Sequence, residues 1–125
     1  MSIITDNTVL IHIYSGLESI NKVTLGLLVA LEAEKNDHKV TLFLAGDGVN
    51  VLSCKKAGEI VGQGTGDLYE HLENLKNSKV SVYVLGPSDK SRGYDEKLLE
   101  GYNAEFAMPD LLVDESIKAD SVLCY

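Results

Sequence analysis

The stretch VYVLGPSDKSRG, Val82 to Gly93, is an apolar strand that runs out into a Gly-Pro-Ser loop and ends on an arginine followed by a glycine. Proline has no N–H to give a sheet ladder, so the strand must stop at or before Pro87. Arg92 is the only arginine in the chain. A planar, permanently charged, five-donor group just past a buried strand suits anion recognition. Asp89 and Asp95 stand close enough in sequence to be its partners instead. The loop carries no cysteine, no histidine and no obvious general base.

Outward from this stretch, apolar runs of strand length alternate with segments of helical period. That alternation predicts a parallel sheet with helices on both faces. The first strand is Thr8 to Tyr14. After the loop Ser15 to Ser19, a helix runs to about Asn36 with Ile20, Val23, Leu27 and Leu31 on one stripe. Lys39 to Ala45 is the second strand, and Gly46-Asp47-Gly48 after it marks a sharp turn. Val49 to Ala57 reads as a short helix, Gly62 to Gly66 as a mobile connector, and Asp67 to Lys76 as a helix with Leu68, His71, Leu72 and Leu75 inward. Val80 to Leu85 is the third strand, Asp95 to Tyr102 a helix, Ala104 to Met108 the fourth strand, Asp110 to Lys118 a helix opened by Pro109, and Ser121 to Tyr125 the fifth strand.

At 125 residues and 45% hydrophobic content, the chain is long enough for one domain, 1–125, with a real core. A net charge of −8 repels phosphate backbones and anionic membranes, and the nearest thing to a basic patch is Lys55-Lys56. Neither nucleic acid nor membrane is an expected partner. MSIITDNTVLIHIYSG lacks the basic flank and long apolar run of a secretory signal, so the expected location is cytoplasmic. Cys54 and Cys124 are expected as free thiols. His12, His38 and His71 show no metal-ligand spacing, and no pattern calls for a cofactor.

In an open parallel sheet, ligands bind where loops leave the carboxyl ends of the strands. Gly46, Asp47, Gly48, Ser88, Arg92 and Gly93 are therefore the expected ligand-binding residues, because glycine-exposed N–H groups and helix starts favour anions. Asp47 opposes an anion unless it caps the next helix or holds Arg92. Cys54, about one turn into the expected short helix and followed by Lys55 and Lys56, is the candidate thiol. A cysteine among Val51, Leu52 and Ala57 is also ordinary core filling. Ser15, Gly16, Ser19 and Asn21 leave open a flavin- or nucleotide-binding alternative. Tyr83, Tyr94 and Tyr102 around the Arg92 loop suit a subunit contact.

With these residues laid out, the chain resembles the DsrE/DsrF-like sulfur-relay superfamily. The likeness rests on FLAGDGV (Phe43 to Val49), G-x-G-x-L-x-x-x-L-x-x-L (Gly64 to Leu75), Ser88-x-x-x-Arg92-Gly93 and the terminal ADSVL (Ala119 to Leu123). The resemblance implies a three-layer α/β/α sandwich with a five-stranded, mostly parallel sheet, assembled as a homo-oligomer (trimer or hexamer) or with a sulfur-relay protein partner. In sulfur-carrying members a cysteine ends the third strand and takes sulfur as a persulfide. Here that position is Leu85, which holds no sulfane sulfur, while Ser88, Arg92 and Gly93 match. Glu18-Ser19-Ile20-Asn21-Lys22 departs from an acidic-Pro-x-Arg pattern of many relatives.

Overall fold

The computed structural model describes residues 7–125. The strands are β1 (Thr8–Ile13), β2 (Lys39–Leu44), β3 (Val61–Gly62), β4 (Gly66–Asp67), β5 (Ser81–Leu85), β6 (Ala104–Ala107) and β7 (Ser121–Cys124). The helices are α1 (Ile20–Lys35), α2 (Leu68–Lys76), α3 (Gly86–Ser91) and α4 (Pro109–Lys118). Five strands form one parallel sheet in the order β6-β5-β2-β1-β7, and β3 and β4 form a separate antiparallel pair. Every connection moves one strand along the sheet in the same sense until β6, from which α4 carries the chain back to pair β7 with β1.

Successive side chains of a strand point to opposite faces, and this divides the apolar residues into two cores. Ile11 and Ile13, Leu42 and Leu44, and Val82 and Val84 pack with Val23, Leu27 and Ala30 of α1 and Leu68, Leu72 and Leu75 of α2. The alternate residues Leu10, Phe43 and Ala45 meet Tyr83, Leu85 and Ala107 on the opposite face, under Leu111, Leu112 and Ala119. One face thus has a deep helical cover. The other has chiefly α4, a helix with no buried residue.

The expected connector at Gly62 to Gly66 is the small β3-β4 ladder instead, pinned to its neighbours. Thr65 Oγ1 and Thr24 Oγ1 of α1 share a hydrogen bond of 2.5 Å. The Thr65 carbonyl meets His71 Nε2 at 2.7 Å, and Gln63 N donates to Asn21 Oδ1 at 2.7 Å. The expected helix at Val49 to Ala57 is a 3-10 turn, Gly46–Ser53, and that at Asp95 to Tyr102 shrinks to Glu96–Leu99. Glycines and aspartate in the first of these are poor helix formers. The Gly-Pro-Ser segment is a helix start rather than a loop: α3 begins at Gly86 with Pro87 in its first turn, where the missing N–H has no intrahelical partner to lose.

Candidate functional site

The loops after β1, β2 and β5 converge at the carboxyl edge, and glycines set how closely they do so. Gly46 has φ +57°, a left-handed conformation that turns the chain out of β2. Gly48 lies so close to the Ile13 carbonyl that a Cβ would sit 3.0 Å from the Ile13 carbonyl carbon and nearer still to its oxygen. These glycines serve close backbone packing. The Gly16 N–H, which a phosphate in the first loop would need, is already taken by the Glu18 carboxylate at 2.8 and 3.1 Å.

Gly46, Asp47, Ser88 and Arg92 come together as a latch between the 46–53 turn and α3. Ser88 Oγ accepts the Gly46 N–H at 3.0 Å. Arg92, the C-cap of α3, donates through Nη2 to Asp47 Oδ1 at 2.7 Å and through Nη1 to the Ser88 carbonyl and Ser91 Oγ, both at 3.1 Å. Beside the latch, the Tyr94 hydroxyl donates to Asn50 Oδ1 at 2.7 Å, and Gly93, with φ +77°, lets the chain leave α3. Of the two roles open to Asp47, it takes the second: it holds Arg92 and makes no side-chain cap. Asp95 caps its own turn through Lys97 N at 2.9 Å, so it is not the partner of Arg92. The side chains of Arg92 and Asp47 are 28% and 55% exposed, which makes this a half-solvated ion pair facing outward.

Cys54 does not stand where the sequence places it. It is the C-cap of the 46–53 turn, past the end rather than near the start, so a helix start does nothing to activate it. Its side chain is buried in the main core and its Sγ donates weakly to the Lys56 carbonyl at 3.9 Å. We expect Cys54 in a Cys124→Ser variant to react with Ellman's reagent only after unfolding, because access of the reagent requires the core to open. Rapid reaction of the folded variant would restore a thiol role.

Sequence reasoning treated Asp89 only as a partner for Arg92. In the structure it is 4% exposed and its Oδ1 has no hydrogen-bond partner. Burial, and then the neighbouring Asp95, push its carboxyl above the usual aspartate range. The signal for this lies in helix phase. Once α3 is known to begin at Gly86, Ser88 and Arg92 share a face at i and i+4, and Asp89 turns about 100° from Ser88 with Arg92 between them.

The model of the DsrE/DsrF-like family matches residues 8–125. The crystal structure of the ychN protein from E. coli matches with a TM-score of 0.74 at 20% sequence identity, over 96% of this chain and 99% of that chain. At that identity the likeness is one of fold. No curated protein matches the chain.

Proposed function

The chain belongs to the DsrE/DsrF-like family, and on that premise we propose a cytoplasmic, homo-oligomeric member that binds a small anionic or sulfur-bearing ligand, or a sulfur-relay partner, without a persulfide cysteine. The observation that carries this reading is the convergence of Gly46, Asp47, Ser88 and Arg92 just beyond Leu85, where sulfur-carrying relatives have their cysteine. Leu85 belongs to the apolar cluster with Phe43 and offers no sulfur chemistry. The guanidinium, by contrast, is pre-positioned by the Ser88 carbonyl. An exposed ion pair is worth about 0.2–1 kcal/mol, so displacing Asp47 from Arg92 costs an incoming anion little, and the latch is the natural place for it to open.

Titration with thiosulfate, followed through backbone amide shifts, tests this. The expected result is movement of the Gly46 to Gly48 and Ser88 to Gly93 amides in the wild type, and affinity lowered about tenfold or more in Arg92→Ala with an unchanged far-UV spectrum. Identical titrations of the two proteins would remove the site. A flavin or nucleotide phosphate in the first loop is the weaker reading, because it must first displace Glu18 from the Gly16 N–H.

Homo-oligomerisation is supported by a separate observation, while its count, a trimer or hexamer, rests on the family resemblance. All four residues of the edge strand β7 are exposed, including Val122 and Leu123, and the adjoining α4 leaves Val113 and Ile117 56% and 78% exposed. An apolar edge of this kind is a template for another chain unless something covers it. Sedimentation is expected to give a mass at a multiple of the 13.6 kDa chain, and Ile117→Asp to shift it to the monomer. A monomeric wild type would end this reading.

A further inference from the structure

Asp89, but not Arg92, lines a second feature of the carboxyl edge. A cleft of about 570 Å3 opens there, within the size range of small-ligand sites. Pro87, Tyr94, Phe106 and Met108 supply its apolar lining. Its charged groups are three carboxyls, Asp89, Asp95 and Glu96, against the single ammonium of Lys90. Neither Asp47 nor Arg92 is among the lining residues.

The decisive residue is Asp89. A carboxyl that is 4% exposed with one oxygen lacking any hydrogen-bond partner is costly to keep in a folded protein. Its main-chain carbonyl is already engaged by the N–H groups of Arg92 and Tyr94, at 3.1 and 3.2 Å. The side chain remains short of a donor. Asp89 lines the cleft, and a ligand that brings a positive donor to its carboxyl supplies the opposite charge the site lacks. Tyr94 and Phe106 lie beside it, and aromatic faces attract organic cations as well as apolar bodies. An anion is disfavoured by the excess of carboxyls.

We propose that this cleft is a binding site for a small organic ammonium with an apolar or aromatic body, its ammonium held by the Asp89 carboxylate and its body by Pro87, Tyr94, Phe106 and Met108. The site is separate from the Arg92 latch and takes a ligand of opposite charge. Burial has raised the Asp89 carboxyl, so binding is expected to strengthen as pH rises through its titration. Lys90, Tyr94, Asp95 and Glu96 are the other titratable groups lining the cleft, and the carboxyls of Asp95 and Glu96 favour the same cation.

The test uses the full chain and three probes of one shape: 2-phenylethylammonium, neutral 2-phenylethanol and anionic phenylacetate. Backbone amide shifts at Lys90, Tyr94 and Phe106 report occupancy. The ammonium is expected to move these signals and to bind about tenfold or more tightly than the alcohol, with phenylacetate weakest. Asp89→Asn is expected to remove that preference, while Arg92→Ala retains it, which separates this site from the thiosulfate site. Should Asp89→Asn fail to fold, an Asp95→Asn/Glu96→Gln double variant titrated with the ammonium at acid and neutral pH isolates Asp89, since it leaves Asp89 as the one carboxyl of the cleft, and pH-independent binding by that variant would overturn the proposal. Equal affinity for ammonium and alcohol, no movement of these signals, or full ammonium binding by a folded Asp89→Asn would overturn the proposal.

Discussion

Replacing Gly48 with alanine is expected to lower the unfolding free energy by about 3 kcal/mol, as a large drop in the denaturant midpoint at constant slope. A Cβ there would stand 3.0 Å from the Ile13 carbonyl carbon and closer to its oxygen. Both are backbone atoms with no rotamer to escape into. The Ile13 carbonyl also accepts the Ala45 N–H at 3.1 Å, so pushing β1 aside breaks a hydrogen bond joining it to the chain leaving β2. Gly86→Ala is the matched control. Its nearest contact would be 3.8 Å, to the Ala107 carbonyl, and its effect should stay within about 0.5 kcal/mol. A mild Gly48→Ala would mean that the loops at the carboxyl edge can slide apart.

Phe43→Ala should cost about 3–5 kcal/mol, the usual loss for a buried aromatic, and Phe43→Leu less. Phe43 is fully buried on the central strand β2, edge-on to His12 with ring centroids 6.0 Å apart and 6.4 Å from Tyr83. The core on this face is thin, so little can collapse into the space. The same substitution should alter the response to acid. His12 Nε2 is buried without a partner, and burial lowers the His12 pKa below the usual value of 6.5. A base depressed in the folded state takes up its proton first when unfolded, so the His12 contribution is fully present above pH 6.5 and is lost as pH falls below it. Hydrating the ring by removing Phe43 should flatten this part of the stability profile between neutral pH and pH 5.5. Parallel profiles for wild type and Phe43→Ala would show that the ring of Phe43 does not shield His12.

The sheet was legible because strands buried on both faces read as near-continuous apolar runs, interrupted here by His12 and Thr41. Val9 to Ile13, Val40 to Leu44 and Val82 to Leu85 have that character, and a parallel sheet covered by helices follows from their alternation with helical segments, while the DsrE-like identification came from the resemblance alone. Their order was not legible, since it depends on which distant strands pair. Pro87 was misread as a breaker in a loop because proline ends strands and opens helices by the same lack of an N–H. Reading the segment as a loop hid the burial of Asp89. The juxtaposition of Asp47 with Arg92, 45 residues apart in sequence, was anticipated only as one of two roles for Asp47. Cys54 was misplaced because the Gly-Asp-Gly segment begins the turn three residues earlier than the apolar pattern does.

The pairing of β1 with β7, in the register Val9 with Ser121 to His12 with Cys124, bears on how the chain is made. A ribosome delivers residues in order, so β1 meets β2 early and waits for its other neighbour until β5, β6 and α4 have emerged. α4 arrives in the same final portion. A nascent polypeptide lacking that portion carries a bare strand margin beside the uncovered Leu10, Phe43 and Tyr83, the kind of surface that neighbouring incomplete chains adhere to. Translation that stalls after β6 therefore leaves this protein in its most adhesive form, and holdase chaperones should be found on such truncated products more than on finished ones.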